Sequence, residues 1–339
     1  MSTKRPTEDA FLGSLLGLAI GDALGMPVAR RAGEAKPNER RPIAGYAPKR
    51  FADGVEIAAG EFTDESEIAL CIVESMTVNG GAVDPDMIAP RLIHLANGES
   101  RRWLEPATAA ALARAEATDD YQAPYDEDGP ATGDVAVRGV PIGLLHSVGA
   151  FDPAAFRADV EAVVRLTHGS PAAISAATAV GYAVRLAAIG APPADWAGET
   201  AAFVSGAMAD RLERLDKLLA AEIPLDDIIA ATGAVLAADE SVPAALAAAI
   251  RGERFEDAVF AAVNAGDRIA ADTIGAIAGA IAGARFGSAG IPQRLIDGLQ
   301  GRIYVSLAAP WFWKAAQKRA GMRIDLTPVP PRPMMPPRF

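Results

Sequence analysis

The fold is decided by residues 13–25, GSLLGLAIGDALG, in which glycine recurs at every fourth position. A second run, residues 275–283 with the sequence GAIAGAIAG, has the same spacing. Because four residues make slightly more than one helical turn, each run places its glycines along one face of a helix. Each glycine costs a helix about 1 kcal/mol relative to alanine, so a gain in packing must compensate. We predict close backbone approach between two buried helices, which would join the starts of both helices in one core.

The composition favours helix throughout the chain. Of 339 residues, 50% are hydrophobic and only 6% are aromatic, and alanine is abundant, which favours helix over strand. Single helices are predicted over Ala136–Leu145 and Trp196–Leu219, and a short hairpin over Arg50–Ile57. We predict a single all-α domain over residues 1–326, followed by a proline-rich tail at residues 327–339.

Charge, cysteine content and hydropathy restrict the partners and the compartment. The formal net charge of -11 argues against a nucleic-acid groove, which needs a basic face. The single cysteine, Cys71, allows no intrachain disulfide and fits a reducing compartment. The apolar segment Ala10–Val28 is preceded by acidic residues and interrupted by Asp22, so it suits neither a signal peptide nor a membrane span. We expect a cytoplasmic protein without a membrane partner, and the sequence leaves its oligomeric state open.

Two short acidic clusters carry the candidate chemistry. The first is Thr63-Asp64-Glu65, and the second runs from Asp267 to Thr273 and ends in Asp272-Thr273. Each precedes an apolar helical run, where carboxylates and hydroxyls commonly act as ordinary helix caps. Two such clusters, each with a threonine beside an aspartate, also favour a metal site. Hard oxygen ligands suit Mg²⁺, Mn²⁺ or Ca²⁺ rather than Zn²⁺.

The sequence resembles the ADP-ribosylglycohydrolase family, which includes dinitrogenase-reductase-activating and ADP-ribosylarginine hydrolases. The matching segments lie between about residue 11 and residue 287 and are residues 13–25, Phe62–Glu65, Thr167–Pro171, Glu240–Ala245 and Asp272–Gly279. The resemblance implies a compact all-α fold with a binuclear Mg²⁺ or Mn²⁺ site. It also implies hydrolysis of the bond between ADP-ribose and a modified protein or small molecule.

The resemblance also implies a set of metal ligands. Thr63 and Asp64 match the start of the family's Thr-Asp-Asp motif, and Glu65 takes the place of its second aspartate. Asp272 and Thr273 match the end of its Asp-x-Asp-Thr motif. Asp64, Glu65 and Asp272 would be the catalytic carboxylates, which position and activate water.

Four further residues are implied on the ligand side. Asp22 matches the aspartate of the family's Gly-Asp pair, and either shapes the site by hydrogen bonding or binds metal. Thr132 and Gly133 lie where the family has a glycine-containing loop near the nucleotide, which is also typical of an ordinary helix start. His168 follows the family's Thr-His pattern, and either contacts the ligand or holds a helix end.

Three departures from the family pattern bear on the reaction. Glu65 is one methylene longer than the expected aspartate, and Ala270 stands where another aspartate is expected. The segment before Asp272 is two residues longer, so Asp267 could supply the missing ligand, or Arg268 could replace a cation. Ala29 occupies the place of a glutamate implicated in catalysis.

Two functional hypotheses follow from this ligand set. The first is a metal-dependent hydrolase of an ADP-ribosylated or related ribosylated substrate, with one metal ion supported and a second uncertain. The alternative is a weakened or inactive family member that binds an ADP-ribose-like ligand or a protein partner.

Overall fold

The computed structural model describes residues 6–29, 42–51, 54–221, 223–233, 237–266 and 268–324, and this part of the chain is predominantly α-helical. The prediction of an all-α fold is confirmed. The helices are α1 (Glu8–Gly25), α2 (Asp64–Val78), α3 (Pro85–Ala96), α4 (Pro106–Thr118), α5 (Gly133–Ala136), α6 (Gly139–Leu145), α7 (Pro153–Val164), α8 (Pro171–Ala188), α9 (Trp196–Phe203), α10 (Gly206–Ala220), α11 (Leu225–Thr232), α12 (Ala238–Arg251), α13 (Phe255–Val263), α14 (Ala271–Phe286), α15 (Gln293–Gly298) and α16 (Arg302–Arg319). The predicted tail, residues 327–339, lies outside the described residues.

The predicted hairpin is present as two very short strands. β1 (Lys49–Arg50) pairs antiparallel with β2 (Glu56–Ile57), with Lys49 opposite Ile57. Ile57 is buried and so joins the hairpin to the body of the protein.

The centre of the fold is the contact between α1 and α14, and it confirms the predicted close approach. Gly17 faces Gly279, and Gly21 faces Gly275, so closely that an added Cβ at any of the four would overlap backbone of the other helix. The pairing runs in opposite directions along the two helices, so α1 and α14 are antiparallel. The last turn of α1, rather than its start, therefore meets the first turn of α14, which corrects the expectation that the two starts would be joined.

Other helices enclose this central pair. α13 and α12 pack against α14, and α16 packs against both α1 and α2. Both central helices are buried over almost their whole length, as expected for helices that are apolar on every face. α2 and α5 each contact α14 near its start, where Glu65 of α2 and Gly133 of α5 both lie next to Thr273. This junction positions the candidate site.

Two predicted helices are each divided in the structure. The segment predicted over Trp196–Leu219 breaks at Ser205, which is extended, and Gly206, whose φ is +65°. Glycine reaches this left-handed conformation without steric cost. The segment over Ala136–Leu145 is bent at Val137 and Arg138, where i→i−3 hydrogen bonds tighten the chain between α5 and α6.

One helix in the described part of the chain, α8, is long and apolar enough to cross a membrane. Its 18 residues have a mean hydropathy of 1.2, and 67% of them are buried inside the structure.

Substitution of Gly17 by alanine should destabilise the fold. The new methyl group would overlap the backbone of Gly279 and meet the ring of Phe255, and overpacking of this kind costs about 1–3 kcal/mol or more. We expect a loss of at least about 2 kcal/mol in urea unfolding, despite the higher helix propensity of alanine. Gly45→Ala is the matched control, because no atom lies within 4 Å of the added Cβ. Equal stability of the two variants would contradict the close approach.

Candidate active site

A cavity of about 560 Å³ opens where α2, α5 and α14 begin. Its volume is within the usual range for a small-molecule site. One wall carries the acidic residues Asp64, Glu65 and Asp272, together with Thr273. The apolar lining residues, called the apolar wall below, are Met26, Ala29, Phe51, Trp103, Leu104, Pro106, Ile269 and Ala270. Arg102, Glu105, Gly133 and Asp134 also line the cavity.

Asp22 holds the start of α2 in place. Its Oδ2 accepts hydrogen bonds from the Thr63 backbone N–H at 2.9 Å and from the Ser66 hydroxyl at 2.6 Å. Its Oδ1 lies 2.8 Å from the hydroxyl oxygen of Thr63, and the side chain has no exposed surface. Asp22 therefore lies behind the cavity wall and positions the residues that form it.

Glu65 joins the two acidic clusters, which lie far apart in the sequence. Its Oε1 accepts the Thr273 hydroxyl at 2.8 Å, and its Oε2 lies 3.0 Å from the Thr63 hydroxyl. Thr63 occupies the cap position of α2 but makes no side-chain cap hydrogen bond. The Thr63–Glu65 cluster is therefore not simply a helix cap, because its side chains contact the second acidic cluster instead.

Burial makes the carboxyl groups of Asp64 and Asp272 hard to ionise. Burial, with the charge of Glu65 as the next cause, raises the pKa of Asp272 to about 8. Burial and the same neighbouring charge raise the pKa of Asp64 well above its ordinary value. A cation in the cavity would favour the ionised forms, since it offsets both the burial and the mutual repulsion.

The donor set fits a hard divalent cation. Asp64, Glu65 and Asp272 supply carboxylate oxygens on one wall, and Thr273 adds a hydroxyl there. The Thr273 hydroxyl donates its proton to Glu65 and so keeps its oxygen lone pairs. Carboxylate and hydroxyl oxygens are suitable ligands for Mg²⁺ or Mn²⁺.

The departures noted in the sequence lie at the cavity itself. Ala29 and Ala270 both line it, so neither position offers a side-chain oxygen ligand or a catalytic carboxylate. Asp267, the candidate replacement ligand, lies outside the described residues.

The loop that leads into α5 reaches the acidic wall through Gly133, the first residue of that helix. A Cβ at Gly133 would stand 2.6 Å from the Ser241 hydroxyl oxygen and 2.8 Å from a methyl carbon of Thr273. Thr132 precedes it, and its hydroxyl bonds to Asp134 instead of capping α5. The loop thus brings Gly133 and Asp134 to the cavity, while the Thr132 side chain is engaged with its neighbour.

His168 lies behind Glu105, a cavity-lining residue, and is almost fully buried. Its Nδ1 is 2.9 Å from the Thr167 hydroxyl oxygen, and its Nε2 is 4.0 Å from Glu105 Oε2. Burial, with the nearby positive charge of Arg138, lowers the pKa of His168 to about 3. The imidazole is therefore neutral at physiological pH.

The profile of the ADP-ribosylglycohydrolase family matches residues 3–322. The chain belongs to the ADP-ribosylglycohydrolase family. A protein of Archaeoglobus fulgidus is 30% identical over 308 residues, which cover 88% of this chain and 94% of that protein. The ADP-ribosylarginine hydrolase Tri1 of Pseudomonas putida is 28% identical, with 93% of this chain and 81% of that protein covered.

A solved structure described as an ADP-ribosylglycohydrolase-related protein complex is similar to this chain with a TM-score of 0.72 at 28% identity. The match covers 91% of this chain and 98% of that one. The family is one of hydrolases, so the predicted enzyme class is confirmed, and ADP-ribosyl glycohydrolysis is the general activity that membership supports.

Several residues that line the cavity were not predicted from the sequence of this family member. Glu105 lines the cavity and also caps α4, accepting the Thr108 N–H at 2.9 Å. Its Glu-Pro context signals an ordinary helix start and nothing more. Phe51 and Trp103, with ring centroids 5.9 Å apart, come from distant segments, and no local motif links them.

The metal-free protein should lose stability as pH rises from about 4 to about 8. The folded-state pKa of Asp272 is about 8 against an ordinary value of 3.8, so the folded state holds a proton that the unfolded state has released. The stability that this retained proton contributes is fully present below about pH 4 and is lost as pH rises through about 8. Thermal unfolding in chelator across this range measures the slope.

Asp272→Asn should make that slope shallower and raise the metal-free melting temperature near pH 8, because no charge remains to be buried at this position. Part of the slope should remain, since the pKa of Asp64 is also raised. Asp128→Asn, at an exposed position, is the control. Identical slopes in the wild type and Asp272→Asn would contradict the assigned burial of this charge.

Proposed function

We propose that this protein is a divalent-metal-dependent hydrolase that cleaves the glycosidic bond between ADP-ribose and a modified group. The observation that carries this proposal is the Glu65 bridge. Because its two oxygens contact the hydroxyls of Thr63 and Thr273, the two acidic helix starts act as one site. Family membership supports the reaction class.

Mg²⁺ or Mn²⁺ would be held by the oxygens of Thr63, Asp64, Glu65, Asp272 and Thr273. When bound, a divalent ion orients neighbouring sugar hydroxyls and lowers the pKa of a water molecule. We assign one ion to these five residues. A second ion would need Asp267 as a further ligand.

The chain's own groups would then position the reactants. The carboxylates of Asp64 and Asp272 orient water. Glu65 holds the hydroxyls of Thr63 and Thr273 in position through its two oxygens. Gly133 lets the start of α5 lie against Thr273 of the acidic wall, since this position carries no side chain. The apolar wall with Phe51 and Trp103 suits the adenine base, because aromatic rings stack on bases of any sequence.

ADP-ribosylarginine is the substrate class that we propose first. Its support is the name of the Pseudomonas putida relative, an ADP-ribosylarginine hydrolase. The chain's net charge of -11 favours a protein or small-molecule substrate over a nucleic acid. A cytoplasmic location fits the single cysteine, Cys71.

A second candidate is a family member with weakened turnover that mainly binds an ADP-ribose-like ligand. The observation that favours it is the presence of Ala29 and Ala270 in the cavity wall. The family resemblance expects carboxylates at both positions, so binding groups would remain while a ligand and a catalytic acid are lost.

Asp64→Asn and Asp272→Asn should each lower the release of ADP-ribose from ADP-ribosylarginine by at least about 100-fold, because each removes a charge that holds metal and water. The assay is run with Mg²⁺, with Mn²⁺ and with chelator, and Asp128→Asn serves as the control. Release that is unaffected by chelator would contradict the metal-dependent proposal.

Calorimetric titration with ADP-ribose distinguishes the two candidates. Metal-dependent binding of ADP-ribose without its release from ADP-ribosylarginine would favour the binding protein. Binding of ADP-ribose together with its release from ADP-ribosylarginine supports the hydrolase. Absence of both would contradict each candidate.

A further inference from the structure

A second group of metal-ligating side chains lies beside the acidic wall, and the proposed function does not use it. Glu105, Asp134 and His168 each offer a ligand atom, and these atoms all lie within 4.8 Å of one another. The three residues come from three separate segments: the turn before α4, the start of α5 and the turn before α8. Their meeting is therefore a product of the tertiary fold.

The histidine of this group presents an unused ring nitrogen to the two carboxylates. Within the described part of the chain, His168 Nε2 is buried and has no hydrogen-bond partner. Its 4.0 Å separation from Glu105 Oε2 is too long for a hydrogen bond. Since His168 is only 2% exposed, no bulk water compensates this nitrogen. A buried polar atom without a partner costs free energy, which a bound ion would recover.

Asp134 is also incompletely satisfied. Its Oδ1 accepts a hydrogen bond from the Thr132 hydroxyl, whereas its buried Oδ2 has no hydrogen-bond partner among the described residues. Asp134 lines the cavity as well, so an ion could reach the group from that side.

The ring of His168 is held in an orientation suited to ligation. Nδ1 lies 2.9 Å from the Thr167 hydroxyl oxygen, and that oxygen also accepts a hydrogen bond from Arg138. With Nδ1–H donating to Thr167, Nε2 keeps its lone pair for a ligand. Fixing the second ring nitrogen in this way is typical of metal-binding histidines.

The local charge also favours an added cation. Arg138 is the buried positive group here, and its guanidinium donates to the hydroxyls of Thr167 and Thr108. One guanidinium faces the carboxyl groups of Glu105, Asp134 and Asp64, which all act on its pKa. A divalent ion would reduce this excess of acidic groups.

We infer that Glu105, Asp134 and His168 form a separate divalent-cation site for a first-row transition-metal ion such as Zn²⁺. One imidazole with two carboxylates suits such an ion better than Mg²⁺, which prefers oxygen ligands alone. Ligand distances of about 2.1 Å allow ligand atoms up to about 4.2 Å apart, so small side-chain rotations close the site. This inference does not depend on the proposed hydrolase activity.

Co²⁺ titration in excess Mg²⁺ tests the site by visible absorption, because Mg²⁺ occupies oxygen-only ligands and gives no visible band. The wild type should bind Co²⁺ with a d–d absorption band. His168→Gln and Glu105→Gln should each weaken Co²⁺ binding by at least about 10-fold. His94→Gln is the matched control, because His94 is an exposed histidine outside the group, and it should bind as the wild type does.

Glu105→Gln keeps the test decisive if His168→Gln does not fold, because the amide oxygen can still accept the Thr108 N–H. Far-UV circular dichroism checks both variants. Absence of a Co²⁺ band in the wild type would overturn the site. So would unchanged binding in Glu105→Gln, or a band that is lost only in Asp64→Asn and Asp272→Asn, since Co²⁺ would then occupy the Thr63–Glu65 cluster.

Discussion

The backbone contact between α1 and α14 is the constraint on which the rest of the structure depends. Any side chain at Gly17 or Gly279 would push the two helices apart. Because the helices are antiparallel, this contact also sets Asp22, near the end of α1, beside the first turn of α14. Asp22 in turn holds the start of α2 through Thr63 and Ser66. The position of the acidic wall is therefore a consequence of how closely two backbones approach.

Three aspartates near this junction have different hydrogen-bonding environments. Asp22 accepts several short hydrogen bonds and is enclosed, so its oxygens have little capacity left. Asp64 accepts one longer bond, 3.2 Å from the Glu105 N–H, and lines the cavity. Asp272 accepts its neighbour's N–H at 2.9 Å and also lines the cavity. Unused acceptor capacity, rather than residue type, separates the structural carboxylate from the two candidate ligands.

The sequence could predict what repeats or clusters locally. Four-residue glycine spacing identified the central helices, and the motifs at Thr63 and Asp272 identified the acidic wall. The break at Gly206 was not predicted, because helical periodicity continues on both sides of it. Glu105 and Asp134 were not predicted as partners of His168, because three distant segments meet only in the folded chain. Whether Asp267 supplies a ligand stays a prediction.

Gly133 links the two groups of candidate ligands. Its missing side chain lets the loop before α5 lie against Thr273 and Ser241, and Asp134 follows directly in the chain. A larger residue at 133 would move the loop away from the acidic wall and carry Asp134 away from His168 at the same time. The closeness of this one loop to α14 therefore sets the geometry of both groups. Glu105 and Asp134 line the same cavity as the acidic wall, so an ion bound in either group would change the charge that a molecule in the cavity encounters.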